Sequence, residues 1–152
     1  MDKFEKDIDE LKNFLVDKAR FEYELEKLRE MVVGNKEGIQ WIFINLFNEV
    51  YSQLESTITN QIQFAKHVEK DEYYGDLSAE YKIANFNISI TFNSEETELM
   101  EVKIEIENEV DEIDDEISYE LTMINERWTW LKDRQVLTKE LLLCDIKDVM
   151  MG

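Results

Sequence analysis

No proline occurs in the chain, and residues 2–31 contain no glycine either. Along that uninterrupted stretch Phe4, Ile8, Leu11, Phe14, Leu15, Phe21, Leu25, Leu28 and Met31 recur at three- and four-residue spacings. This is the period of one face of an α-helix, and it predicts a long amphipathic helix over residues 2–31. The polar face of that helix mixes signs, so its stability has to come mainly from packing.

Gly34 and Asn35 are the residues that most readily take the left-handed conformation that ends a helix, and they predict a stop there. A second apolar stripe follows over residues 37–69: Ile39, Ile42, Phe43, Leu46, Phe47, Val50, Leu54, Ile58 and Ala65, widened by Trp41 and Tyr51. The expectation for residues 1–70 is therefore an antiparallel helical hairpin.

Beyond the break at residues 70–76 the period changes to two. Ala84, Phe86, Ile88, Ile90 and Phe92 alternate with Asn85, Asn87, Ser89 and Thr91 and predict a strand over 80–92. Met100, Val102, Ile104 and Ile106 alternate with Glu101, Lys103, Glu105 and Glu107, giving a second strand with one apolar and one charged face. Residues 111–116 read as a turn and 117–131 as a third strand with Tyr119, Leu121 and Met123 inward. Residues 77–131 are thus expected to form a three-stranded antiparallel meander. Residues 138–151 fit either a short helix or a buried strand, with helix the preferred reading. At 152 residues the fold class expected is α+β in a single domain.

Composition narrows the chemistry. One His and one Cys cannot supply the ligand sets of zinc sites or the Glu-x-x-His helices of di-iron bundles, and a lone Cys144 excludes an intramolecular disulfide. His67 reads as a surface residue near the end of the second helix. The four glycines, Gly34, Gly38, Gly75 and Gly152, form no phosphate-binding loop. The acids at 111–116 lack the glycine and spacing of a calcium loop. Glu101-Val102-Lys103 matches the acidic-x-Lys element of metal-dependent nucleases, yet the preceding strand offers no partnering carboxylate, and an acidic chain repels nucleic acid. The expectation is a protein that is not an enzyme and needs no metal or cofactor. No apolar run reaches membrane-spanning length, so a soluble, cytoplasmic protein is expected.

Charge is the most informative feature. The chain carries a formal −19, and residues 93–126 hold fourteen acids against the single base Lys103. Residues 2–31, by contrast, hold ten acids and seven bases. Acids on an exposed sheet keep a protein soluble and block edge pairing. Like charges across strands nevertheless cost stability, which points to a use for them. The residues expected to bind a partner are Glu101, Glu105, Glu107, Glu109, Asp111, Glu112, Asp114, Asp115, Glu116, Glu120 and Glu126, with Trp128 and Trp130 as aromatic anchors. The tryptophans share the parity of Glu120 and Glu126: a regular strand sets them on the acidic face, a bulge near Asn125 turns them into the core. Tyr73 and Tyr74 are further candidate contacts.

The expected partner is a basic, nucleic-acid-binding protein, blocked by nucleic-acid mimicry, with no direct binding of nucleic acid or membrane. In size and acidity, though in no motif, the chain resembles viral inhibitors of restriction and CRISPR enzymes. That likeness implies a phage-type inhibitor of a nuclease or defence effector. The alternative expectations are a self-associating scaffold or chaperone-like dimer, formed through the long helices, or an antitoxin or immunity protein.

Overall fold

The computed structural model describes residues 2–59, 61–94 and 99–152. They fall into two units divided between Gly34 and Asn35. The first unit is helical, and its start is capped by Asp2, whose Oδ1 accepts the Glu5 backbone N–H at 2.8 Å.

Helix α1 runs Lys3–Thr57 and overturns the expected hairpin. Its one non-helical residue is Asn35, at φ −125° and ψ 16°. Gly34 is not among the residues at positive φ. A reversal needs a left-handed residue and several non-helical ones after it. A single residue in the bridge region kinks the helix, which resumes at Lys36. The helix then stops at Thr57, where Thr57-Ile58-Thr59 places β-branched side chains in succession.

Among the described residues seven strands follow: β1 Phe64–Lys70, β2 Leu77–Ile83, β3 Phe86–Asn93, β4 Glu101–Asn108, β5 Ile113–Ile124, β6 Arg127–Lys132 and β7 Gln135–Val136. Each pairs antiparallel with its neighbour in sequence, so the sheet order is β1 through β7 without a crossover. This replaces the three-stranded meander. The segment expected to end the second helix is β1, and His67 lies exposed on it. The expected first strand is part of the hairpin β2–β3, turned at Ala84 (φ 55°). The expected third strand is β5 and β6 joined at Asn125 and Glu126. The short C-terminal helix is α2, Lys139–Met151, with Thr138 Oγ1 capping the Leu141 N–H.

One face of the sheet is covered. Successive cross-strand rows on it, Tyr81–Ile88–Ile106, Ala79–Ile90–Ile104–Ile117 and Val102–Tyr119, are buried throughout. From residue 39 onward α1 presents Ile39, Phe43, Phe47 and Tyr51 at four-residue steps, with Gln40, Ile44 and Val50 beside them, all buried. Phe43 meets Tyr119, Trp130 and Phe92 at ring-centroid distances of 5.7, 5.6 and 6.2 Å. Phe47 stacks on Tyr81 at 4.4 Å.

Two polar ties fix register within this core. Gln40, fully buried, donates from Nε2 to Asp76 Oδ1 at 3.0 Å and accepts the Leu77 N–H on Oε1 at 2.7 Å. This satisfies an amide that would otherwise be costly to bury. Tyr119 donates its hydroxyl to Asp145 Oδ2 on α2 at 2.6 Å, and Asp145 also pairs with Lys132 at 2.8 Å. Burial, and then the neighbouring Asp145 carboxylate, push the Tyr119 phenol well above its ordinary range. Burial does the same to Tyr81. Among the described residues no helix is long and apolar enough to cross a membrane.

Candidate functional site

The opposite face of the sheet is open, and its character follows from period-two alternation. In β4 the buried Val102, Ile104 and Ile106 force Glu101, Lys103, Glu105 and Glu107 to the other side. In β5 the buried Ile117, Tyr119 and Leu121 do the same to Asp114, Glu116, Ser118 and Glu120. The antiparallel register then sets acid against acid: Glu101 opposite Glu120, Glu105 opposite Glu116, and Glu107 opposite Asp114.

Directly opposed Cβ atoms in such a ladder are about 5 Å apart, and alternate residues along a strand advance about 6.8 Å. The six carboxylates therefore form a two-column negative array. Glu105, Glu107, Asp114, Asp115 and Glu116 line a shallow depression of about 350 Å³ within it. Lys103 interrupts the array, pairing with Glu101 at 3.7 Å opposite Ser118. Among the described residues no group of three or more His, Cys, Asp or Glu side chains is placed to hold a metal ion.

The remaining expected contacts divide by position. Glu109, Asp111 and Glu112 are exposed on the loop joining β4 to β5. Buried Asn108 holds that loop: its Oδ1 accepts the Val110 and Asp111 N–H groups at 3.0 and 3.3 Å, and its Nδ2 donates to Asp111 Oδ2 at 3.2 Å. The expected turn at 111–116 is thus shifted, since residues from Ile113 onward belong to β5. Asp115 pairs with buried Ile106 and so has the parity of the covered face, at a place where it is itself exposed. Glu126 sits in the β5–β6 turn, past the end of β5 and outside the array. Glu95, Glu96 and Glu98 lie outside the described residues.

Trp128 and Trp130 are not on the acidic face. Asn125 (φ 50°) and Glu126 (φ 63°) form a two-residue hairpin turn of the kind that needs positive φ at both positions. The turn restarts the alternation, so Met123 pairs with Trp128 and Leu121 with Trp130 on the covered side. Trp130 is 3% exposed and donates its indole N–H to the Ile39 carbonyl at 3.4 Å. It is core, and Trp128 is half-buried beside it. Tyr73 and Tyr74 are highly exposed, on a loop where Asp71 Oδ1 accepts the Tyr73 N–H at 2.7 Å.

The structure adds Glu80 on β2. It is exposed in the row His67–Glu80–Ser89–Glu105–Glu116, where the acids lie on β2, β4 and β5. Its signal was the alternation of Leu77, Ala79, Tyr81 and Ile83 with polar residues, hidden by the absence of glycine or proline between β2 and β3.

Comparison with protein-family models, with curated proteins and with solved structures gives no match.

Proposed function

We propose that this protein is a non-enzymatic binder that docks its carboxylate face on a basic, nucleic-acid-binding protein and occludes the surface that nucleic acid would use. The observation that carries the reading is the register of β4 against β5. Three acid pairs are opposed directly on a solvent-open face, an arrangement that costs the sheet stability in isolation and that positive charge would relieve. An array of fixed anions set by backbone pairing presents negative charge at regular intervals, as a phosphate backbone does. Electrostatic attraction of this kind speeds encounter and selects partners by charge. In this reading the protein acts in the cytoplasm as an inhibitor of a nuclease or defence effector, of the phage type.

The test uses immobilised full-length chain and a bacterial lysate. The expected result is capture of a basic nucleic-acid-binding protein that is released by competing DNA or RNA and by high salt. Capture should be lost with the triple variant Glu105→Gln, Glu107→Gln, Glu109→Gln while its circular dichroism spectrum is unchanged. Undiminished capture by that variant would sink the proposal.

A further inference from the structure

The first unit carries an apolar stripe that the acidic face does not use. Phe4, Ile8, Leu11, Phe14, Leu15 and Phe21 are between 49% and 72% exposed. Their spacing fits a heptad with Phe4, Leu11, Lys18 and Leu25 at one seam position (a), Asp7, Phe14, Phe21 and Leu28 at the other (d), and Ile8 and Leu15 at the flank (e). Leu25 and Leu28 are half-buried and Val32 is buried, so the open part of the stripe is residues 4–21.

Two charges lie in this seam, Asp7 and Lys18, and they decide the partner. Against a parallel, in-register second copy each would face itself, Asp7 on Asp7 and Lys18 on Lys18. Antiparallel pairing about a two-fold axis between Lys12 and Asn13 instead sets Phe4 against the second copy's Phe21, Asp7 against its Lys18, and Leu11 against its Phe14. Every apolar seam position then meets an apolar one, and the two charges neutralise each other twice. The same register brings Ile8 beside the second copy's Leu15 on one flank. On the other it brings Lys3 near the second copy's Glu24, and Glu10 near its Asp17, a solvated like-charge contact that salt screens.

We infer that residues 4–21 form an antiparallel, two-fold helical pair with the same segment of a second copy of this chain. The overlap of these residues is about 27 Å long. The six apolar side chains expose on the order of 600 Å² per copy, so about 1,200 Å² is covered in all, the lower bound of a stable specific interface. The inference is independent of the proposed docking on the sheet.

Sedimentation equilibrium of the full chain over a range of concentrations tests it. The expected mass is that of two copies. Leu11→Asp and Phe14→Asp should each give a monomer, with a circular dichroism spectrum showing that the sheet is retained. Lys18→Asp and Asp7→Lys, at exposed positions, should each weaken association by about tenfold or more, and the double variant should restore it to within about threefold. A chain monomeric at all concentrations overturns the inference, as does a mass above two copies. Single charge variants without effect, or a double variant that fails to rescue, would overturn the antiparallel register.

Discussion

Glu105 and Glu116 face one another across β4 and β5 on the open side of the sheet, with Ser89 and Glu80 continuing the same row. Because the register sets a carboxylate, not a cation, directly opposite each of these two, neutralising one should stabilise the fold. Glu105→Gln is expected to raise the urea midpoint by an amount equivalent to some tenths of a kcal/mol at low salt. The gain should fade at about 1 M salt, where the Debye length is about 3 Å. A loss of stability would show that the Glu105 carboxylate supports the sheet rather than straining it.

Gln40 ties α1 to the first residue of β2, since its Oε1 takes the Leu77 N–H at 2.7 Å. Gln40→Met keeps the bulk but leaves that buried donor without an acceptor. Destabilisation of about 1–3 kcal/mol is expected from chemical denaturation, with an unchanged m-value.

Glu126 occupies a left-handed position, φ 63°, in the two-residue turn between β5 and β6. A side chain there costs about 1–2 kcal/mol, part of which glycine returns as greater freedom in the unfolded chain. Glu126→Gly produces the Asn-Gly pair that this turn favours, and thermal unfolding should show a net gain of about 0.5–1 kcal/mol.

Tyr119 and Tyr81 have phenols raised by burial, with Asp145 adding to the effect at Tyr119. A folded-state value above the unfolded one means that the native protein holds these protons longer. Their contribution to stability is therefore complete below the ordinary phenol range near 10 and declines as pH rises above it. Stability measured between pH 9 and about 12 should fall with pH. Tyr119→Phe should make that fall shallower, and a slope unchanged by the substitution would assign it elsewhere.

The legible parts of this fold were those where two levels of pattern agreed. In β4 strict alternation of apolar and charged residues left one assignment, whereas over 138–151 the triple Leu141-Leu142-Leu143 fitted a strand as well as the helix that α2 forms. The acidic face was legible for the same reason, because buried isoleucines dictate where their neighbours point. Gly34-Asn35 misled because left-handed capability is not left-handed conformation, and only a kink resulted. Edge strand β1 was obscured because Ala65 fits helix spacing as well as strand spacing, and an edge strand buries little. The hairpins at Ala84 and at Asn125-Glu126 were hidden because the chain uses non-glycine residues at positive φ, so β5 and β6 read as one strand and the tryptophans fell on the wrong side.

The bond from Trp130 to the Ile39 carbonyl joins residues 91 positions apart, whereas each strand of the sheet pairs only with its sequence neighbours. On the ribosome the hairpins can therefore close as they emerge, but the apolar side of α1 is made long before its last covering residue. At about 5–20 residues per second that interval is roughly 5–20 s. For that time Ile39 and Phe43 lack their last cover on a nascent chain, and the vulnerable step in the protein's biogenesis is the docking of a finished helix onto a sheet still being synthesised.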